Sequence, residues 1–184
     1  MDPGTSRRRL IRRPGVAYAS TTDRMIDADT FRAVLGRFAS GVTIVTARDD
    51  AGRDHGMTVS AFCSLSLDPP QVLFCVDHTA SMHELLLGHP RFGISILSSG
   101  QEAYSRRFAD RDSDRSERFD GIAYRRGDAG VVLLDEALAH LECQIRRHHD
   151  SGDHTIFIAE VERAEALDGR PLLYFRGGYA LLER

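Results

Sequence analysis

Small hydroxyl side chains recur at alternate positions between residues 57 and 67. One parity of the segment MTVSAFCSLSL is apolar, and the other carries Thr58, Ser60, Phe62, Ser64 and Ser66. Alternate side chains of a strand point to opposite faces, so a strand here would have one apolar face and one small, polar face. Small side chains let a flat ligand approach backbone N–H and C=O groups, which favours a ligand-binding surface. The solvated face of an antiparallel sheet would show the same alternation, so both interpretations stay open at this point.

The cationic residues restrict the chemistry, because all 24 of them are Arg and the chain contains no Lys. A Schiff-base lysine, and with it lysine-anchored pyridoxal phosphate chemistry, is therefore excluded. A lysine-bearing phosphate loop of the ATPase type is excluded for the same reason. A bound phosphate has to be held by Arg, hydroxyls or backbone amides. The segment SRRF, residues 105–108, offers two Arg on a predicted helix, either for a phosphate or as plain surface charge.

Histidines lie close together in the segment HHDSGDH, residues 148–154. A metal site needs ligands that converge with defined geometry, and this cluster straddles a Ser-Gly turn without an HExxH spacing. The sequence therefore predicts no metal site. His154 follows a Gly-Asp turn at the start of a predicted strand, which makes it a candidate for contact with a substrate. His83, on a predicted helix, is expected at the surface or half-buried.

No catalytic nucleophile with an attendant base is indicated by the sequence. The Gly-x-Ser-x-Gly motif is absent, and no pair of carboxylates lies in an apolar segment. A GxGxxG motif within a βαβ pattern is also absent, which excludes a dinucleotide-binding Rossmann domain. If the chain is an enzyme, a bound cofactor is expected to supply the chemistry.

The overall composition is that of a single globular domain, with 184 residues of which 42% are hydrophobic and 28% charged. A net charge of −3 does not favour nucleic-acid binding, and no apolar run approaches the roughly 20 residues of a membrane helix. Residues 1–28 contain six Arg against three Asp, which predicts a basic, disordered tail before a domain over residues 29–184. Three Cys without a CxxC pair indicate a reducing compartment, the cytoplasm.

The elements that position these residues are predicted to be mostly strands. Strands are predicted over residues 41–48, 57–67, 71–77, 91–97, 131–134, 137–147, 154–164, 171–175 and 178–183. Helices are predicted over residues 79–88 and 99–110, and another begins at Asp29 or Thr30 and ends at Gly41. The strand over 71–77 is nearly all apolar and is expected to be buried on both faces. The pattern predicts a mainly β protein, a β-barrel with a few short helices.

A long stretch of the chain, FRAVLGRFASGVTIVTARDDAGRDHGMTVSAFCSLSLDPPQVLFCVD, resembles the start of the short-chain flavin reductases. These are the small components of two-component flavin-dependent monooxygenases. Further matches are RFGISIL, RRFA, GIAYR, ALAHLECQI, GDHTIFIAEV and PLLYFRGGY, so the resemblance covers roughly residues 30–183. The combination of GMTxSAF, SxSLxPP and GDHT at these separations is more specific than any single motif.

The resemblance implies a fold, a reaction and partners. The implied fold is an FMN-binding split β-barrel, Greek-key-like, in a homodimer. The implied reaction transfers hydride from NADH or NADPH to FMN or FAD, and the reduced flavin passes to a separate monooxygenase. Hydride would pass directly between stacked rings, so the protein would supply proximity and orientation.

The resemblance also implies roles for particular residues. His154 of GDHT and Tyr179 match positions beside the nicotinamide, where His154 would orient the ring or tune charge near the flavin. The residues that match those against the isoalloxazine are Thr58, Val59, Ser60, Ala61, Phe62, Ser64 and Leu65. The residues that match those on the ribityl and phosphate side are Asp77, Ser81, Met82, Arg107 and Phe108.

Two alternatives stay open at the level of the sequence. One is a flavin-binding module without catalysis, and the other is an oxidase resembling the pyridoxamine-phosphate oxidases, which share the barrel. The motifs GDHT and LxPP favour the reductase. The chain departs from the family near its C-terminus, where Gly178 stands at a position that often carries Arg and Arg176 lies two residues earlier.

Overall fold

The computed structural model describes residues 26–110 and 117–182. Within these ranges the helices are α1 (Ala28–Leu35), α2 (Ser81–Gly88) and α3 (Glu102–Ala109). The strands there are β1 (Ser40–Gly41), β2 (Thr43–Arg48), β3 (Asp54–Val59), β4 (Phe62–Leu67), β5 (Pro70–Asp77), β6 (Arg91–Ile96), β7 (Tyr124–Arg126), β8 (Val132–Leu134), β9 (Ala139–Ser151), β10 (His154–Ala166), β11 (Leu172–Phe175) and β12 (Gly178–Leu181). The mainly β fold expected from the sequence is confirmed. The predicted basic tail lies almost wholly outside the described residues, and its boundary at residue 28 stays a prediction.

A seven-stranded antiparallel sheet forms the body of the molecule, in the order β3-β2-β6-β9-β10-β5-β4. Its centre is the long hairpin of β9 and β10, each thirteen residues long. Gly152 closes this hairpin with φ at +64°, a left-handed conformation that side chains with a Cβ disfavour. A second sheet, ordered β1-β11-β12, joins the C-terminal strands to the start of the domain.

The segment predicted as one strand over residues 57–67 is in fact two strands, and that prediction was wrong. β3 pairs with β2, whereas β4 pairs with β5 at the other edge of the sheet. Ser60 and Ala61, both exposed, carry the chain from one pairing to the other. Because the two strands bond to different neighbours, the row of hydroxyls is divided between two surfaces.

Buried apolar side chains form two clusters. The larger one includes the rings of Phe74, Phe92 and Phe157, with Phe74 at centroid distances of 5.1 Å and 5.4 Å from the other two. The smaller one includes Phe108 of α3 and Leu134 of β8. β5 was expected to be buried on both faces, but its burial alternates between buried and half-buried positions. Its less buried face is open at the C-terminal end, where it forms one wall of a cavity.

α1 and α3 begin and end at residues that differ from those predicted, whereas α2 begins at Ser81, within the predicted range 79–88, and ends at Gly88 as predicted. Asp27 caps α1 by accepting a hydrogen bond from the backbone N–H of Thr30 at 2.7 Å, and the helix ends at Leu35 instead of Gly41. The predicted helix over 99–110 begins with a 3₁₀ turn, Ser99–Gln101, before α3. None of the described helices is long and apolar enough to cross a membrane.

His83 of α2 is buried, with 7% of its surface exposed, so the expectation of a surface or half-buried residue was wrong. The physical reason is a hydrogen-bonding partner inside the sheet. His83 Nε2 lies 2.8 Å from the hydroxyl of Thr155, itself fully buried on β10. A polar ring can be buried at this position because its nitrogen is hydrogen-bonded there.

Candidate functional site

A cavity of about 410 Å³ opens where the chain crosses from β3 to β4. The crossing residues form one wall, the end of β5 and the start of α2 form a second, and α3 with the C-terminal strands forms a third. The lining residues are Val42, Met57, Thr58, Val59, Ser60, Ala61, Cys75, Val76, Asp77, Thr79, Ala80, Ser81, Ser105, Phe108, Ala109, Asp110, Arg118, His154, Tyr174 and Tyr179.

The break at Ser60 and Ala61 exposes backbone and small side chains to this cavity. The chain makes a tight turn at Ala61, where the Phe62 N–H donates to the Ser60 carbonyl at 3.0 Å. The Cys75 N–H donates to the Ala61 carbonyl at 3.0 Å, which fixes the crossing to β5. Residues of both parities between 57 and 61 line the cavity, which lies where β3 ends at Val59 and the chain leaves the strand.

Hydrogen bonds through Ser105 connect α3 to the cavity wall. The Thr58 hydroxyl donates to the Ser105 carbonyl at 2.7 Å, and the Ser105 hydroxyl lies 2.7 Å from the Tyr179 hydroxyl. The guanidinium of Arg106 lies over the Tyr179 ring, 4.7 Å from its centroid. Ser105 and Arg106, consecutive residues of α3, thereby fix Tyr179 from two sides. Arg106 also places beside this ring a positive charge that Gly178 cannot supply.

His154 begins β10 at the edge of the cavity and pairs in register with Asp77 of β5. Its Nδ1 lies 2.7 Å from the Asp153 carboxylate. The hydrogen bond with His154 holds the pKa of Asp153 below its ordinary value. The imidazole is therefore oriented by a neighbouring carboxylate while its ring borders the cavity.

The turn from β5 into α2 presents polar groups to the same cavity. The Asp77 carboxylate accepts hydrogen bonds from the backbone N–H and the hydroxyl of Thr79, both at 2.7 Å. α2 then begins at Ser81, and its N-cap residue Ala80 has no side chain that could cap it. The N-terminal turn of a helix attracts anions, so this wall suits a phosphate group.

The cation in the cavity wall is Arg118, which sequence reasoning did not single out. Arg118 is 93% buried and donates to the carbonyls of Gly56 and Asp110, at 3.1 Å in the first case. Arg107, expected on the phosphate side, is exposed and donates to the Asp120 carbonyl at 2.7 Å. Arg107 does not line the cavity.

The cavity brings together nine of the predicted site residues: Thr58, Val59, Ser60, Ala61, Asp77, Ser81, Phe108, His154 and Tyr179. Five others, Arg107 included, do not line it. Phe62 packs against the larger core cluster, and Met82 is buried within it. Ser64 and Leu65 lie further along β4, past the crossing, where the strand is exposed and carries a bulge.

Several lining residues were not predicted from the sequence. Cys75 lies two residues before Asp77 on the same face of β5, so strand alternation could have found it. Ser105 directly precedes Arg106 and Arg107, the two Arg of SRRF that the sequence offered as candidates for binding a phosphate. Tyr174 and Arg118 lie in segments whose approach to the cavity depends on tertiary contacts, and no local pattern indicates them.

The residues of the cavity fit a flavin. Its volume lies within the range of about 300–1,000 Å³ typical of small-molecule sites. Ser60, Ala61 and Ala80 leave room for a flat ring to approach the backbone, whose donors and acceptors can match the edge of such a ring. The backbone N–H groups at the α2 start and the guanidinium of Arg118, on different walls of the cavity, are each of a kind that can bind a phosphate.

Comparison with known proteins gives consistent matches along most of the chain. Residues 35–183 match the family model for the flavin reductase like domain. The chain is 44% identical over 156 residues to an NADH-dependent flavin reductase of a Rhodococcus species, which covers 83% of this chain and 85% of the relative. It is 38% identical over 159 residues to HsaB, the reductase subunit of a flavin-dependent monooxygenase in Rhodococcus jostii, covering 86% and 80%.

A solved structure with bound ligand fragments is also similar. It is the Streptomyces globisporus NADH:FAD oxidoreductase SgcE6 in complex with NAD and FAD fragments. The two chains are 39% identical and superpose with a TM-score of 0.81, over 90% of this chain and 98% of that one.

Proposed function

The chain belongs to the flavin reductase like family, and from this membership we propose that it is an NADH-dependent flavin reductase that supplies reduced flavin to a monooxygenase. Its fold is the flavin reductase split barrel expected from the sequence. The observation that carries the proposal is the cavity at the β3–β4 crossing, where backbone, small side chains, His154 and Tyr179 meet.

The flavin would lie along the crossing from Thr58 to Ala61, with its ring against the backbone of Ser60 and Ala61. Asp77 and Ser81 would face its ribityl chain, and the start of α2 together with Arg118 would face its phosphate. When bound, the flavin accepts the two electrons of a hydride from reduced nicotinamide. The chain's own contribution is to hold the two rings together and to exclude water between them.

The nicotinamide would lie on the side of the cavity that His154 and Tyr179 border. Asp153 orients the His154 ring, and Ser105 orients Tyr179 through its hydroxyl. Arg106 over the Tyr179 ring adds a positive charge at this position. These groups would position NADH. Direct hydride transfer does not require any of them to donate a proton.

The partner of the reduced flavin would be a separate flavin-dependent monooxygenase. The relative HsaB is the reductase subunit of such an enzyme. The cavity of this chain is open to solvent along its edge at Ser60 and Ala61, both exposed, so the flavin can leave after reduction. Free cysteines at all three positions fit a reducing compartment, the cytoplasm.

The active form would be a homodimer. The four large apolar side chains of α1 and its following turn are at least half exposed: Phe31 at 52%, Val34 at 61%, Leu35 at 50% and Phe38 at 80%. α1 has no buried residue, so its apolar face finds no cover within the described part of its own chain. A contiguous apolar face of this kind is typical of a protein–protein interface.

A steady-state assay tests the function. Catalytic amounts of protein are mixed with each combination of FMN or FAD and NADH or NADPH, and loss of the nicotinamide absorbance is followed. We expect turnover that depends on added flavin and is faster with NADH than with NADPH. No flavin-dependent oxidation with either nicotinamide would contradict the reductase and leave a flavin-binding module. Formation of pyridoxal phosphate from pyridoxamine phosphate would instead support the oxidase.

A further inference from the structure

Three side chains that can bind a metal ion meet beside the tip of the β9–β10 hairpin, outside the cavity. His78 follows β5, His83 lies in the first turn of α2, and Asp150 lies near the end of β9. Two imidazole nitrogens and one carboxylate oxygen from these residues lie within 4.8 Å of one another. His78 and His83 are close in sequence, whereas Asp150 is brought to them by the sheet, in which β10 separates β5 from β9.

The hydroxyl of Thr155 lies among these three ligand atoms. Its Oγ1 is 2.8 Å from His83 Nε2, 3.1 Å from His78 Nε2 and 2.6 Å from Asp150 Oδ1. A hydroxyl carries one proton, which Thr155 donates to Asp150, so both ring nitrogens have to donate to the hydroxyl. Three polar groups thus converge on Thr155 Oγ1, and a metal ion would have to lie beside this hydroxyl, bound by the two nitrogens in place of their protons.

His83 is oriented as a metal ligand usually is. Its Nδ1 lies 3.3 Å from the carboxylate of Glu84. With an ion bound at Nε2, the ring proton of His83 would lie on Nδ1, where the Glu84 carboxylate can accept it and fix that tautomer. The side chains of His78 and Asp150 are 38% and 73% exposed, so an ion can enter from solvent without opening the core.

We propose that His78, His83 and Asp150 form a site for Zn²⁺ or a similar divalent transition-metal ion, with water as the remaining ligand. Two imidazoles and a carboxylate are donors that Zn²⁺ binds in proteins. His78 Nε2 and Asp150 Oδ1 are 3.8 Å apart. Tetrahedral bonds of about 2.0–2.1 Å place two ligand atoms roughly 3.3 Å apart. The three ligand atoms, which lie within 4.8 Å of one another, would have to approach by at most about 1.5 Å on binding. The segment HHDSGDH contributes only Asp150, which is why its spacing predicted no metal site.

An ion at this site would join the β9–β10 hairpin to the turn between β5 and α2. That turn contributes Asp77, Thr79 and Ser81 to the cavity wall, so the site lies directly behind the cavity. The metal site does not depend on the proposed function. A ligand that binds only the folded state raises the Tm, and we expect Zn²⁺ to do so here.

The proposal is tested by titrating tag-free, metal-stripped protein with Zn²⁺ in an isothermal titration calorimeter, which gives the stoichiometry and the affinity. The Tm is measured with and without Zn²⁺. We expect one ion per chain and a raised Tm. We expect the affinity to fall at least about tenfold in His78→Ala and in Asp150→Asn. His149→Ala is the matched control, because His149 neighbours Asp150 but points to the opposite face of β9. Its affinity for Zn²⁺ should equal that of the wild type.

Binding of Co²⁺ in place of Zn²⁺ provides a second test, because the visible absorption spectrum of Co²⁺ depends on the geometry of its ligands. We expect the visible absorption of a tetrahedral Co²⁺ site in the wild type and its loss in His78→Ala, whose part-exposed side chain can be removed without opening the core. No uptake of Zn²⁺ at micromolar concentration would overturn the proposal. Equal affinities in all three variants, or an equal loss in His149→Ala, would overturn it as well. These readouts need neither flavin nor NADH, so their failure leaves the reductase function untouched.

Discussion

At the scale of single residues, His154 is the side chain on which nicotinamide binding is expected to depend. His154→Ala should lower kcat/KM for NADH about three- to tenfold, which corresponds to one lost hydrogen bond of about 1 kcal/mol. The flavin Kd, measured by fluorescence titration, should stay nearly unchanged. His89→Ala is the control, because His89 pairs with Asp50 and does not line the cavity. Unchanged NADH kinetics in His154→Ala would contradict the positioning role.

The three thiols provide a second residue-scale prediction, because their environments differ. Cys63 is exposed, Cys75 lines the cavity, and Cys143 is 1% exposed. Burial raises the pKa of Cys75 above its ordinary value and that of Cys143 to about 12. The reactive thiolate is therefore scarce at both positions near neutral pH, and its fraction grows as pH rises towards each pKa.

Labelling with iodoacetamide, read by mass spectrometry, should modify Cys63 first, Cys75 more slowly and Cys143 only after unfolding. Saturating FAD should slow labelling of Cys75 without protecting Cys63, since Cys75 alone of the two lines the cavity. Cys63→Ser leaves Cys75 as the one accessible thiol and makes the rates directly comparable. Flavin-independent labelling of Cys75 would place the flavin elsewhere.

At the scale of elements, the contact between β3 and α3 depends on Gly56. A Cβ at this position would lie 2.5 Å from Phe108 Cε1 and 3.2 Å from Phe119 Cζ. Gly56→Ala should therefore displace the Phe108 ring, which lines the cavity, at a cost of about 1–3 kcal/mol in the free energy of unfolding. Urea denaturation measures the stability, and a flavin titration should show weaker binding.

Gly88→Ala is the matched control for this substitution. Gly88 ends α2, and no atom lies within 4 Å of the position of an added Cβ. Its stability should stay the same or rise slightly. Equal urea midpoints for the two variants would show that Gly56 does not hold β3 close to α3.

Most of the strands could be predicted from the sequence because alternation and β-branched residues are local signals. The crossing at Ser60 and Ala61 could not, because a continuous alternation does not reveal that β3 and β4 bond to different neighbours. The cavity exists because of this change of partner. His83 was placed wrongly for a related reason, since its partner Thr155 lies 72 residues away.

The parts of the candidate site that could be predicted from the sequence are those that belong to a recognisable local segment. The run from Thr58 to Ala61 lines the cavity as expected, and so does His154 at the start of β10. Cations on separate elements could not be ranked from sequence, since SRRF and the later Arg118 look alike in composition. Tertiary packing buries Arg118 beside Gly56 and leaves Arg107 in solvent.

At the scale of the whole molecule, the exposed face of α1 predicts the oligomeric state. Light scattering after size-exclusion chromatography should give the mass of a dimer for the wild type. Val34→Asp with Phe38→Asp should give a monomer, because burying these charges in an apolar interface is unfavourable. Ala33→Asp is the control, since residue 33 lies on the opposite side of α1 and adds charge without entering the apolar face. A wild-type monomer, or a dimer that persists in the double variant, would contradict the assignment of this interface.

The central claim is that the chain reduces flavin as a substrate that it releases. The most direct measurement is anaerobic: a catalytic amount of protein is mixed with a large excess of FAD and of NADH, and flavin bleaching is followed. We expect all of the flavin to be reduced, with many turnovers per chain, and a much slower reaction in Ala61→Trp, whose side chain would fill the cavity beside Ser60. Bleaching that stops after one flavin per chain, or no bleaching at all, would contradict the account.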